Sequence, residues 1–191
     1  MVAEKQMRMK SLETRKRGKA VKPGSHIVTS SWCHIRKKSV VLDICTGLGY
    51  SAIAAMRAGA AQIISLEREQ DVLDLARVNP MSAELFSSPN IRIIVGDASD
   101  TIERLGDGVF SACLHDPPRM AHAGELYGLR FFQQIHRVLK DGGRLVMYTG
   151  THRSRSGIKS MPKGVKDRLL AAGFIEVKFV DACQGFVASK L

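Results

Sequence analysis

Apolar and polar positions alternate in blocks along this chain. From residue 39 onward the blocks read as short apolar strands separated by amphipathic helices. Val40 to Ile44 is an apolar, β-branched run broken only by Asp43, as in a strand buried on both faces. The pattern predicts strands over 39–45, 61–66, 91–95, 109–114 and 144–149. It predicts helices over 50–58, stopping at Gly59, and over 69–79, stopping at Asn79-Pro80. A short helical stretch over 81–87 follows, then helices over 98–105, 124–139 and 164–172. Asp141-Gly142-Gly143 reads as a turn, and 150–164 as a polar, basic loop. Residues 174–181 and 185–190 are two strands joined by a tight turn. Too few residues separate them for a crossover helix, so they are antiparallel. The expected fold class is α/β: a doubly wound, mostly parallel seven-stranded sheet of Rossmann-like type with an antiparallel C-terminal hairpin.

The first strand runs into Cys45-Thr46-Gly47-Leu48-Gly49-Tyr50, a glycine turn that opens a helix. Gly47 and Gly49 allow a sharp turn and a close approach to a ligand. Ala52 holds the small position that lets helix and strand pack closely. Asp43, four residues before the first glycine, is unusual beside a diphosphate, and the turn itself has no basic residue. A carboxylate there suits a cationic or amine-bearing nucleotide, which disfavours a nicotinamide dehydrogenase. Glu67, with Arg68 beside it, stands about twenty residues after the turn at the next strand end. A carboxylate at that place accepts from both ribose hydroxyls. Asp97-Ala98 follows the third strand, where Asp97 either caps a helix or accepts from an adenine amino group. His115-Asp116-Pro117-Pro118-Arg119 follows the fourth.

Charge divides the chain. Residues 1–38 carry eleven Lys and Arg against two Glu, a net +9 of the chain's +11. We read 1–38 as a basic arm or cap, either meeting phosphate or serving as a solvated tail, and 39–191 as the cofactor-binding domain. Within the arm, 1–17 is predicted as a basic helix and Pro23-Gly24 marks a turn. Trp32 either docks the arm on the core or stacks on a base. The four cysteines lack C-x-x-C spacing, which points to free thiols in a reducing cytoplasm and away from zinc. No apolar run approaches a membrane span, and the N-terminus lacks the apolar region of a signal peptide.

The order of elements, with Asp-x-x-x-Gly-x-Gly, Glu67, Gly96-Asp97-Ala98 and Asp-Pro-Pro at successive strand ends, resembles the class I S-adenosylmethionine-dependent methyltransferases over about 39–190. Leu42 to Tyr50, His115 to Arg119 and Ala123 to Tyr127 resemble a group of predicted archaeal methyltransferases. Members of that group carry a longer N-terminal portion, so a substrate-positioning part is expected outside this chain. The resemblance implies S-adenosylmethionine as cofactor, with Asp43 to Gly49 along its methionine moiety, Glu67 on the ribose, and Asp97 and Ala98 at the adenine. It puts Asp116-Pro117-Pro118 beside the methyl group. His115 is a candidate proton acceptor, and Arg119 stands where base methylating enzymes have a stacking aromatic. The expected function is methyl transfer to an amine or base nitrogen of RNA bound through the basic arm. The alternatives are a small-molecule or protein methyltransferase, an aminopropyl transferase of the polyamine-synthase type, and a non-catalytic RNA-binding module.

Overall fold

A computed structural model describes residues 33–120, 122–149, 152–153, 159–160 and 164–191. The basic stretch 1–32, with Trp32, lies outside the described residues. The strands are β1 (Val40–Ile44), β2 (Gln62–Glu67), β3 (Ile91–Val95), β4 (Phe110–His115) and β5 (Leu139–Tyr148). They continue with β6 (His152–Arg153), β7 (Lys159–Ser160), β8 (Ile175–Val180) and β9 (Gly185–Ser189). The helices are α1 (Tyr50–Arg57), α2 (Gln70–Arg77), α3 (Ala83–Ser87), α4 (Ala98–Glu103), α5 (Leu129–Val138) and α6 (Val165–Ala171).

Seven strands form one sheet in the order β3-β2-β1-β4-β5-β9-β8. The first five are parallel, and β9 and β8 close the edge antiparallel. The chain winds outward from β1 through β2 to β3, then returns to place β4 on the other side of β1. The strand order therefore reverses between β1 and β4, and a crevice opens there at the carboxyl ends.

Two cores cover the two faces. Leu42, Ile44, Cys113, Phe132, Ile135 and Leu169 belong to the core under α4, α5 and α6. Val41, Ile53, Ile63, Ala76, Leu85 and Leu114 belong to the core under α1, α2 and α3. The alternation within β1, Val41 to one face and Leu42 to the other, follows from the period of two in a strand. Asp43 shares the face of Val41. It pairs in register with Ser65 of β2 and Leu114 of β4, so a carboxylate enters the core beside a hydroxyl. Cys33 is buried in that same core and Ile35 packs against it, so the start of the described chain docks on the domain. All four cysteines are free thiols.

Three expectations change in detail. The helix read over 124–139 is a 3-10 turn, Gly124–Tyr127, followed by α5. Gly128 between them is extended because Leu126 and Tyr127 are held by contacts of their own. Asp141-Gly142-Gly143 is an excursion inside β5. Leu139 pairs with Phe110 and Arg144 with Ala112, and Gly142 and Gly143 exchange backbone hydrogen bonds with Lys190. Within 150–164, read as a loop, β6 and β7 pair antiparallel.

Candidate functional site

The turn after β1 is shaped by three alternate residues in the left-handed region: Cys45 (φ 69°), Gly47 (φ 56°) and Gly49 (φ 79°). Two of the three are glycines, as the conformation favours. The third is a cysteine, a sign of local strain that the sequence pattern did not reveal. The amides of Cys45 and Thr46 both donate to the Leu66 carbonyl, at 3.0 and 2.9 Å, which ties the turn to the end of β2. A Cβ on Gly49 would lie 2.5 Å from Leu85 Cδ2, so α3 sits directly against the turn. α1 begins with no side-chain cap.

Glu67, 8% exposed, splints this turn. Its Oε2 accepts from the Gly47 amide at 2.8 Å, and its Oε1 accepts from the Glu69 amide at 3.0 Å. A carboxylate offers about four acceptor positions, so each oxygen keeps one for a ligand hydroxyl. Arg68 bridges Glu69 (3.0 Å) and Asp97 (3.6 Å) on the exposed side. Asp97 caps α4 by accepting from the Ser99 amide at 2.8 Å. Ala98 behind it is buried.

Asp43 is fully buried. Ser65 donates to its Oδ2 and in turn contacts the Thr46 hydroxyl at 2.7 Å. Its Oδ1 is buried with no hydrogen-bond partner among the described residues. Burial raises the Asp43 carboxyl to about 6. The Ser51 and Ser65 hydroxyls oppose that rise and the Glu67 charge adds to it. A buried carboxylate oxygen without a donor is costly.

After β4, the Asp116 amide donates to the Ile44 carbonyl at 3.2 Å, which brings the Asp-Pro-Pro segment alongside β1. After burial itself, Glu67, Asp116 and Asp43 in that order push the Cys45 thiol far above its ordinary value. Three carboxylates thus act on one turn residue. Asp116 also adds to the raised values that burial gives Tyr127 and Tyr148. Pro117 is buried, while Pro118, Arg119 and Met120 are exposed at the rim.

His115 does not stand at the mouth. It is 1% exposed, its Nε2 bonds the Leu126 carbonyl at 3.0 Å, and its ring lies 5.4 Å from that of Phe131. Burial lowers it to about 4. The expectation of a proton acceptor at the substrate is therefore corrected: as the last residue of β4, its side chain alternates into the core. His34, next to the buried Cys33, is exposed, and among the described residues no group of three His, Cys, Asp or Glu is placed to hold a metal.

Other residues went unnoticed in the sequence. Asn79 donates to the Tyr50 hydroxyl at 2.8 Å and to Ser82 Oγ at 2.9 Å, and Ser82 donates to the Leu48 carbonyl at 2.7 Å. The Asn-Pro-Met-Ser turn therefore clamps the glycine turn from outside. Asn79-Pro80 signalled only a helix stop, and nothing in the sequence marked Ser82, which the structure buries.

The family profile of the methyltransferase domain matches residues 41–143, more than half of the chain. The chain belongs to the methyltransferase domain family. The cofactor of the S-adenosylmethionine-dependent members is the one that the acids and the turn suit. An uncharacterized protein of Methanocaldococcus jannaschii is 47% identical over 156 residues, 82% of this chain and 54% of that protein. The ribosomal protein L11 methyltransferase of Geobacillus thermodenitrificans is 30% identical over 181 residues, 91% of this chain and 52% of that protein. The chain spans about half the length of these relatives. Spermidine synthase from Thermotoga maritima shares the fold, with a TM-score of 0.69 at 17% identity over 89% of this chain and 60% of its own.

Proposed function

We propose that this methyltransferase domain acts on RNA, at an amine or base nitrogen. The observation that carries the methyl transfer reading is the convergence of Asp43, Glu67 and Asp116 around the 45–49 turn at the point where strand order reverses. In this reading Asp43 Oδ1 takes the cofactor amine, and the turn from Cys45 through Tyr50 lines the methionine moiety. Glu67 takes the ribose hydroxyls with its remaining acceptor positions, and Asp97 and Ala98, tied to β2 by Arg68, border the adenine. When bound, S-adenosylmethionine supplies an electrophilic methyl group. The protein's share is to position the nucleophile and exclude water. Asp116 and the carbonyls beside it accept the N–H bonds of an attacking amine, which keeps its lone pair on the line of transfer. In this reading the carboxylate also takes the proton the amine loses after transfer.

The RNA reading draws on the basic stretch 1–38 and on Arg119 at the rim, whose guanidinium plane can stack on a base or pair with phosphate. Purified protein is given methyl-labelled S-adenosylmethionine and total RNA over a range of salt concentrations. Label in RNA that vanishes after RNase treatment, with transfer falling steeply as salt rises, is the expected result. Label that enters protein instead would favour the second reading, a ribosomal-protein acceptor, which the Geobacillus relative supports. Aminopropyl transfer needs an acidic pocket for a polycation. It would be favoured only if the decarboxylated cofactor bound better than S-adenosylmethionine. RNA binding that survives loss of all label would favour a non-catalytic module.

A further inference from the structure

The Asp-Pro-Pro corner lacks the usual means of fixing a loop. Proline has no N–H, so Pro117 and Pro118 cannot anchor through backbone donors. The Asp116 amide is already given to Ile44. The geometry beyond it depends on what the carbonyls meet. Two consecutive residues of the 3-10 turn Gly124–Tyr127 hold the flanks of the corner, one at the Pro118 carbonyl and one at the His115 ring. The Tyr127 hydroxyl donates to the Pro118 carbonyl at 2.9 Å, and the Leu126 carbonyl accepts from His115 at 3.0 Å. His115 and Pro118 bracket Asp116-Pro117, so the turn holds the corner at both ends. The turn is itself fixed from behind, where Arg168 Nε donates to the Tyr127 carbonyl at 2.7 Å.

We propose that Tyr127 is a positioning residue: through Pro118, and together with the His115 bond, it sets the direction of the Asp116-Pro117 segment at the methyl acceptor. The proposal rests on the methyl transfer reading above. Tyr127 is 5% exposed and its ring packs in the core under α5, so a single rotamer presents the hydroxyl. Burial and the nearby Asp116 charge keep the phenol protonated and hence a donor. His115, neutral at physiological pH, donates through Nε2 in the tautomer that the Leu126 carbonyl selects. Tyr127 acts through its bond to the Pro118 carbonyl and His115 through its bond to the Leu126 carbonyl, so both act through the corner.

Tyr127→Phe removes the hydroxyl and keeps the ring. Three quantities are compared with the native chain: the dissociation constant for S-adenosylmethionine by calorimetry, kcat for label transfer to total RNA at saturating cofactor, and exchange of the His122 amide, which donates to the Arg119 carbonyl at 2.7 Å. The proposal expects cofactor affinity within about twofold, kcat down about tenfold or more, and exchange at that amide faster by about the same factor. If Tyr127→Phe does not fold, His115→Asn, which cuts the companion bond, is read in the same way. Unchanged exchange and unchanged kcat overturn the proposal. So does a cofactor affinity that falls in step with kcat, which would make Tyr127 a cofactor contact. Faster exchange in a protein whose native form transfers no label to RNA overturns the RNA reading and leaves the clip in place.

Discussion

Glu67 offers a test that separates architecture from ligand binding. Its carboxylate accepts from the amides of Gly47 and Glu69. Glu67→Ala leaves both donors without that partner, in a place where the side chain is 8% exposed and solvent replaces it poorly. A hydrogen bond to a charged group contributes about 1.5–3 kcal/mol, so losing two costs about 3 kcal/mol or more. For a domain of this size that lowers Tm by about 6–12 °C. Glu67→Gln keeps one acceptor but turns an amide NH2 toward the other backbone N–H, so it recovers at most half of the loss. The assay is thermal melting of the cofactor-free protein, followed by calorimetric titration with S-adenosylmethionine. The titration should show binding weaker by a further 1–3 kcal/mol, about the worth of the ribose contact. A Tm within about 2 °C of the native value would refute the splint. Unchanged affinity in a folded variant would refute the ribose assignment.

The other predictions concern the same corner. Burial raises Asp43 from an ordinary 3.8 to about 6, which makes its ionisation in the folded state cost about 3 kcal/mol. The folded value exceeds the unfolded one, so this cost is absent below about pH 4, grows as pH rises, and is fully present above about pH 6. A cationic amine at Oδ1 relieves it. Cofactor affinity measured from about pH 5 to about pH 8 should therefore rise through about pH 6 and level off, and Asp43→Asn should abolish the rise. A flat profile in the native protein would count against Asp43 as the amine partner. Gly49→Ala places a methyl 2.5 Å from Leu85 Cδ2 at a φ of 79°. Urea unfolding should show a loss of about 2–4 kcal/mol, strain and overpacking together. A loss under about 0.5 kcal/mol would mean that Leu85 yields freely. Asp116→Ala should bind S-adenosylmethionine normally and lose label transfer, and full turnover in that variant would move the chemistry elsewhere.

Much of the fold was legible because strand-sized apolar blocks and glycine or proline stops coincide. β1 to β4 begin and end within a residue or two of their expected bounds. Where the reading failed, contacts between distant segments had decided the outcome. Gly128 interrupts the expected long helix because Tyr127 is drawn toward Pro118 and Arg168, neither of which a local pattern can see. Asp141-Gly142-Gly143 reads as a turn, yet Lys190 at the far end of the chain holds it inside β5. The strand-end acids were found because type and spacing alone mark them. Their supports were not: Ser65, Asn79 and Ser82 carry no motif, Tyr127 closes a motif that did not reveal its bond to Pro118, and their roles appear only once distant segments lie side by side. His115 misled for a related reason. Its place beside Asp116 suggested chemistry, but the alternation of β4 turns it into the core.

The account stands or falls on whether S-adenosylmethionine binds at the reversal between β1 and β4. The direct measurement is photo-cross-linking of the purified protein with methyl-labelled S-adenosylmethionine, followed by peptide mapping. The account predicts label in peptides that contain residues 43–50 or 116–118, suppressed by excess S-adenosylhomocysteine. Label confined to other peptides, or label that the competitor leaves in place, would contradict it.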